Sequence, residues 1–353
     1  MQNKHKNKSM SKAKIAINGF GRIGRAFLKL AISRPELEVV AINDLGDLEN
    51  LAYLLKYDSA YGRFENKIET REKDGKKYLV VGGKESLFIQ EKNPEMLPWG
   101  ALGVDIVVEA TGIYEGFDKS SIHIKAGAKR VVLTAPAKDD DGPDGKTVLM
   151  GINEEDLSTC KITSNGSCTT NSVSPVMDIL SEKLGVEKAF LNTIHGYTAS
   201  QSLIDGPTKG KDYRRGRAAA VNIAPSTTGA AIAVTRVVPE LKGKFDGMAM
   251  RVPIITGSIS AVTFLAKRDT TSEEINKILE DAEKEPRWKW ILRTTHDQIV
   301  STDMIGEPCT AVVDLSLTKV VDGNLCAVYS WYDNEFGYTN TLVQHVLKIA
   351  ELM

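Results

Sequence analysis

The sequence predicts an α/β fold in two parts. A parallel-sheet part comes first, and an α+β part with a mixed, largely antiparallel sheet follows. Three observations predict it. From Lys14 to Thr134, short apolar runs ending in small polar residues alternate with helical patterns, as buried parallel strands joined by helices require. Past Cys168 several runs alternate in polarity, as strands with one solvated face do. The length of 353 residues suits two domains.

Composition narrows the function classes. Hydrophobic residues make up 42% and charged residues 26%, which is ordinary for a globular chain. A net charge of −1 supplies no global attraction to nucleic acid or to an anionic membrane. Cys160, Cys168, Cys309 and Cys326 form no Cys-x-x-Cys pair and no zinc-like spacing with histidine. Neither a metal site nor a disulfide framework is expected, and a reducing, cytoplasmic home is. No run of eighteen apolar residues exists to span a membrane. The basic, polar start, Met1 to Met10, lacks the apolar core of a secretory signal. Residues 1–12 are expected to be a disordered tail.

The elements follow in order. Lys14–Asn18 is a short apolar strand, and Gly19-Phe20-Gly21-Arg22-Ile23-Gly24 follows at once, opening a helix that runs through Ala31. A second strand, Glu38–Asn43, ends at Asp44, about 20 residues past Gly24. Glycines at these positions allow a tight turn, close approach of backbone to a pyrophosphate and close helix–strand packing. An acid at Asp44 would bond a ribose hydroxyl and repel a 2′-phosphate, which favours NAD over NADP. A glycine turn in some unrelated α/β protein is the blander reading. Strand, motif, helix, strand and acid in sequence argue instead for a Rossmann-type dinucleotide site.

Leu48–Leu55 reads as a helix. Ile68–Ile89 reads as strands broken at Lys73-Asp74-Gly75 and Gly82-Gly83, which are hairpin signals. Asp105–Ala110 is a buried strand ending in Thr111-Gly112. A helix over Ile122–Ala128 and a strand over Arg130–Thr134 complete this half. The loop with Asp139-Asp140-Asp141 reads as solvated rather than metal-binding.

Ser164-Asn165-Gly166-Ser167-Cys168-Thr169-Thr170-Asn171 marks the junction. Ser167, Thr169, Thr170 and Asn171 are residue types that cap helix starts. A thiol there meets free N–H groups and the positive end of the helix dipole, which favour thiolate. A buried structural cysteine is the alternative, and the polar flanks argue against it. Pro175 predicts a kink, or a helix that starts properly only there. Beyond it, Lys188–Ile194 is a strand ending in His195. Gly247–Val252, Ser258–Ala266, Cys309–Leu317 and Leu325–Trp331 are further strands. Thr271–Glu285 and Asn340–Met353 are helices. Lys209–Arg217 is strongly basic. It reads as an RNA patch or, better with near-zero net charge, as a loop facing phosphates or a partner subunit.

A thiol at a domain junction, a histidine at a strand end 27 residues later and a dinucleotide site together imply a reaction. Cys168 would attack an aldehyde. His195 would hold the thiolate as an ion pair, then accept the hydroxyl proton as hydride leaves for the nicotinamide, giving a thioester.

These residues also carry a family resemblance. Asn18–Arg25, Ser167–Asn171, His195–Gln201, Arg217–Ile223, Thr228–Ala231, Gly247–Pro253 and Ser330–Tyr338 resemble phosphorylating glyceraldehyde-3-phosphate dehydrogenase from about Lys14 to Met353. The resemblance implies Cys168 as nucleophile and His195 as base. It implies Thr198 and Arg251 as the site for the substrate's phosphate. Ser167, Thr169, Thr228 and Gly229 match the site for attacking inorganic phosphate. Arg22, Ile23 and Asp44 match cofactor contacts, with Thr111, Gly112 and Thr134 lining that site and Asn334 fixing the nicotinamide carboxamide. Lys92 falls where a basic residue often lies near the adenosine. Gly206-Pro207 looks like the NAD-preferring form. The basic segment falls in a loop that reaches a neighbouring subunit, which implies a homotetramer. The implied domains are 13–167 for NAD binding, 168–334 for catalysis, and 335–353 as a helix packing back on the first. Two positions depart from the pattern: Gly196 stands where serine is common, and Ser172 where a second cysteine often sits. Neither is a matched catalytic position. The rival readings are an erythrose-4-phosphate dehydrogenase, in which water finishes the reaction, and a surface or RNA-binding protein.

Overall fold

A computed structural model describes residues 12–208 and 210–353. The tail expected over 1–12 lies, Lys12 apart, outside the described residues, as does Lys209. The first half is one nine-stranded sheet. Its strands are β1 Ala13–Asn18, β2 Leu37–Asn43, β5 Ile68–Lys73, β6 Lys76–Val81, β7 Lys84–Ile89, β8 Ile106–Glu109, β9 Arg130–Leu133, β10 Gly145–Thr147 and β11 Ile162–Ser164. A two-stranded hairpin, β3 Tyr57–Asp58 with β4 Gly62–Arg63, stands apart. The order is β10-β11-β9-β8-β1-β2-β7-β6-β5. Every pairing from β10 to β7 is parallel, and β7-β6-β5 closes as an antiparallel meander. The two hairpin turns fall where they were read. Asp74 and Gly75 have φ 52° and 69°, and Gly82 and Gly83 have 56° and 81°, the positive pairs that two-residue turns need.

Helices α1 Arg22–Ala31, α2 Leu48–Lys56, α3 Trp99–Leu102 and α4 Phe117–Lys125 connect these strands. The α4 range corrects the helix expected over Ile122–Ala128. Gly116 caps its start, and Gly127 at φ 103° ends it. That residue is packed so closely that a Cβ would lie 2.5 Å from the Gly100 Cα.

The second half is an eight-stranded sheet flanked by helices. It comprises β12 Val186–Gly196, β13 Ala224–Thr227, β14 Phe245–Val252, β15 Ser258–Ala266, β16 Leu292–Thr295, β17 Ala311–Asp314, β18 Lys319–Val321 and β19 Leu325–Tyr332. The order is β13-β14-β12-β15-β19-β17-β16, with β18 beside β19. Only β12·β14 and β16·β17 are parallel, so the sheet is mixed and largely antiparallel as expected. The strand expected over Cys309–Leu317 is shorter. The Asp314 carboxylate accepts from Ser316 N at 3.2 Å and Ser316 Oγ at 2.6 Å, and this local bonding turns the chain.

Helix α5, Cys168–Lys183, lies against this sheet. It starts at Cys168 and runs through Pro175. The expectation of a start at Pro175 is therefore corrected. Ser167 Oγ accepts from Thr170 N at 3.0 Å, and Thr170 Oγ1 accepts from Ser167 N at 3.3 Å. This capping box anchors the first turn. Eleven residues of α5 are buried, so packing outweighs the bond that Pro175 removes. Helices α6 Ala230–Val237, α7 Ser272–Glu283 and α8 Phe336–Glu351 complete the half. The start of α8, earlier than Asn340, is fixed by Asp333, whose Oδ1 accepts from Glu335 N and Phe336 N at 2.9 Å each. Helix α8 packs against α1, and one continuous apolar core runs from Ile15 and Phe27 through Val176 to Leu342 and Val346.

Candidate active site

The site grows from strand ends. Gly19, at φ 95°, turns the chain out of β1. A Cβ there would lie 2.7 Å from the Ala110 carbonyl at the end of β8. A Cβ on Gly24 would lie 2.1 Å from the Gly19 oxygen, so this glycine lets α1 close on the turn. Around Gly21 the space is open. With no side-chain cap on α1, its first N–H groups remain available, as an anionic pyrophosphate requires. Asp44, at the end of β2, accepts from Phe20 N at 2.6 Å and Gly46 N at 2.8 Å, which fixes its carboxylate beside the turn with lone pairs to spare. These features fit a dinucleotide.

Arg22 is held by Glu335 and by Asp58 at 3.2 Å. Thr134 bonds through N and Oγ1 to the Glu109 carbonyl at 3.1 and 3.0 Å. Thr111 and Gly112 form the turn after β8, with Gly112 at φ 66°. Lys92 is exposed in the loop after β7 and does not line the central cavity.

That cavity, about 580 Å³, joins the two halves. Arg22, Ile23, Thr134, Ser167, Cys168, His195, Thr198 and Asn334 all line it. Cys168 is the first residue of α5, and His195 is next to last in β12. Sγ lies 3.3 Å from the His195 Nε2. Nδ1 lies 2.7 Å from the Gly196 carbonyl, which can only accept. The Arg251 guanidinium, which can only donate, faces the same Nδ1 at 2.8 Å; with the hydrogen on Nδ1, Nε2 presents a lone pair to the thiol.

In the parallel register His195 stands beside Arg251. The guanidinium lies 2.8 Å from Nδ1 and donates to the Gly196 carbonyl at 3.1 Å. Burial, and then this positive charge, push the His195 pKa down from 6.5 to about 3. Burial also pushes the Cys168 thiol up. Arg251, the Thr169 hydroxyl and the first backbone N–H groups of α5 pull it back. Burial thus works against the charged forms of the expected ion pair, while Arg251 and the start of α5 work for the thiolate.

The remaining sites divide. Ser167 spends its hydroxyl as the α5 cap. Thr169 is buried, and its Oγ1 lies 2.9 Å from the Tyr332 hydroxyl, behind the thiol. Thr228 Oγ1 accepts from Ala230 N at 3.1 Å, and Gly229 caps α6 with open space around it. These two do not line the cavity. Thr198 Oγ1 bonds Ser200 Oγ at 3.0 Å, and Arg215 reaches that same Ser200 at 3.4 Å and Ser226 at 3.0 Å. Arg214 and Arg217 pair with Asp212 and Asp205, so two charges of the basic segment are matched locally.

Sequence reasoning missed three contributors. Tyr332 stands edge-on to His195 with ring centroids 5.9 Å apart. Ser258 accepts from Gly196 N at 3.2 Å and so spends its own hydrogen on the Asn334 Oδ1 at 2.9 Å. That leaves the Asn334 NH₂ for the cavity. Arg215 was hidden inside the basic run. The alternation of Ser258–Ala266 pointed Ser258 inward, but no local signal pairs it with Asn334.

A dinucleotide fold that opens on a thiol and an imidazole defines the class of protein: a nicotinamide-dependent oxidoreductase. Two family models match the chain. "Glyceraldehyde 3-phosphate dehydrogenase, NAD binding domain" covers residues 13–116, and "Glyceraldehyde 3-phosphate dehydrogenase, C-terminal domain" covers 167–334. The chain belongs to the glyceraldehyde 3-phosphate dehydrogenase family, the NAD-dependent dehydrogenases of glycolysis. It is 47% identical to the glyceraldehyde-3-phosphate dehydrogenase of Clostridium pasteurianum over 343 residues, which is 96% of this chain and 99% of that one. It is 46% identical to that of Borreliella burgdorferi over 96% of this chain and 100% of that one. With that of Geobacillus stearothermophilus the identity is 44%, over 96% and 98%.

Proposed function

We propose that the chain is the phosphorylating form of the enzyme. It oxidises D-glyceraldehyde 3-phosphate with NAD and hands the acyl group to inorganic phosphate, giving 1,3-bisphosphoglycerate. The observation that carries the reading is one imidazole touching both the thiol and an arginine. Nε2 takes the Cys168 proton as Sγ attacks the aldehyde carbon, and returns it to the resulting oxyanion. The hemithioacetal hydroxyl then gives its proton back to Nε2 while its C–H hydrogen departs with both electrons. NAD, when bound, supplies the acceptor for that hydride. A thioester remains on Cys168. A phosphate oxygen attacks the thioester carbon, and the sulfur leaves with the electron pair of its bond. General-base help of this kind is worth roughly 10²–10⁴ in rate.

Arg251 serves two ends. Its planar fork suits the substrate's phosphate, with Thr198 beside it. Its charge also disfavours the imidazolium, which keeps the imidazole neutral and makes it a weaker base. Ser167, the backbone of Thr169, Thr228 and Gly229 are assigned to the incoming phosphate, since Ser167 and Gly229 stand at the starts of α5 and α6. Asp44, Gly19, Gly21, Arg22, Ile23, Gly24, Thr111, Gly112, Thr134 and Asn334 are assigned to NAD, with Lys92 at its outer edge. The chain is divided at 167/168, with α8 returning to the first domain.

The enzyme works as a cytoplasmic homotetramer. Free thiols suit a reducing compartment, and Leu203, Ile204, Val221 and Ile223 are more than two-thirds exposed on a single protomer, as a surface awaiting a partner copy would be. Light scattering on purified protein tests the assembly. NADH formation with and without inorganic phosphate tests the chemistry. Sustained turnover only with phosphate, and a single burst without it, is expected. Sustained turnover without phosphate would mean that water attacks the thioester, and erythrose 4-phosphate would then be the substrate to try.

A further inference from the structure

Beneath the cofactor cleft lies a buried polar network that the reaction scheme does not use. Glu109, the last residue of β8, is 3% exposed. Its Oε2 lies 2.6 Å from the Asn18 Nδ2 and 2.8 Å from the His123 Nε2. Its Oε1 accepts from Thr111 N at 2.9 Å and from the Thr111 hydroxyl. The indole N–H of Trp99 points at the His123 Nδ1 at 3.2 Å. An indole can only donate, so Nδ1 accepts and Nε2 carries the hydrogen that Glu109 receives. Every group around the carboxylate is thus a donor, and Glu109 is bound as an anion. Asn18 Oδ1 in turn accepts from Asn43 at the end of β2 at 2.8 Å.

The same residue fixes the other wall. Its backbone carbonyl receives both bonds from Thr134. Ala110, the next residue, and Thr134 line the cavity that holds Cys168. One residue therefore ties together the ends of β1, β2, β8 and β9, where ligands of parallel sheets sit. A buried anion adds a field that acts on charge.

We propose that Glu109 is a positioning residue for the nicotinamide half of the cofactor, and that its buried negative charge makes the site prefer NAD⁺ over NADH. The inference rests on reading Thr111 and Thr134 as cofactor contacts. The two cofactor forms have nearly the same shape and differ by one positive charge on the ring. At an effective dielectric of about 20, a unit charge roughly 10 Å away changes the affinity for a cation by about tenfold. Geometry alone would weaken both forms together, whereas the charge separates them.

The test is equilibrium binding of NAD⁺ and of NADH to wild type and Glu109→Gln, with circular dichroism confirming the fold. NAD⁺ affinity is expected to fall about tenfold more than NADH affinity. Equal losses for both forms, or no loss, would overturn the proposal. Should Glu109→Gln fail to fold, Thr111→Val keeps the charge and removes one of its bonds. Both forms should then weaken alike by a few-fold, and an altered preference or unchanged binding would overturn the proposal. Failure of the wild type to bind either form would instead sink the assignment of the cofactor cleft.

Discussion

Acid should unfold this protein through two histidines well before its carboxylates titrate. His195 and His345 are both buried, and both have pKa values pushed down from 6.5 to about 3, by burial first and then by Arg251 and Arg130 respectively. Each is a base that stays neutral in the folded chain and charges in the unfolded one. Between about 3 and 6.5 the unfolded state binds the extra proton, so stability rises with pH and is lost as pH falls below 6.5. Integrating from pH 7 to pH 5 gives a loss of about 2 kcal/mol per histidine, or about 4 kcal/mol for the pair. Carboxylates held low by their partners, such as Asp58, lose their contribution only nearer pH 4. Urea unfolding at fixed protein concentration from pH 7 to 5 measures the sum. His345→Gln should be less stable at pH 7, since it loses one of two buried bonds, yet show only half the pH-dependent loss. An equally steep fall in His345→Gln, or no fall in the wild type, would refute the reasoning.

Three further outcomes follow from the site. Arg251→Lys loses the fork toward phosphate. It should raise KM for glyceraldehyde 3-phosphate by about tenfold and leave KM for unphosphorylated glyceraldehyde nearly unchanged, as steady-state assays with the two substrates would show. Ser258→Ala removes the shorter of two hydroxyl contacts to the Asn334 Oδ1, Thr256 making the other at 3.2 Å, and should cost about 1 kcal/mol of cofactor orientation. NAD deuterated at ring position 4 would reveal hydride transfer to both faces where the wild type uses one. Gly24→Ala places a methyl 2.1 Å from the Gly19 oxygen. It should lower stability by about 1–3 kcal/mol and weaken NAD binding at least tenfold, read by thermal melts and isothermal titration.

Local chemistry was legible in the sequence, and long-range register was not. Gly19, Gly24 and Asp44 act within one strand–turn–helix–strand unit, so spacing alone located them. Ser167 and Thr170 cap α5 within one turn, so the capping residue types could be read locally, although Pro175 drew the expected helix start later. Packing that overrides Pro175 was not, because it comes from a sheet whose strands lie elsewhere in the chain. Arg251 sits beside His195 only because β12 and β14 pair in parallel, and β12 to β14 spans a long excursion through β13 and α6. Ser258 meets Asn334 across β15 and β19 for the same reason. The ion pair was inferred from residue types, and the burial that acts against it is a property of the assembled cavity. The ends of α4 and β17 were missed because Gly127 and Asp314 act through close approach and turn bonding rather than periodicity.

The turn before the nucleophile is clamped from the far end of the chain. His345 receives a bond from the Thr163 hydroxyl at 2.8 Å and donates to the Asn165 side chain at 3.2 Å, while the Tyr338 hydroxyl bonds the Gly166 carbonyl at 3.1 Å. During synthesis the cysteine emerges well before the residues that hold its turn. A growing chain therefore exposes its thiol without the geometry that would make it react with aldehydes in the cell. Reactivity arrives with α8, and a message cut short before it should yield a product that is chemically quiet rather than a half-working catalyst.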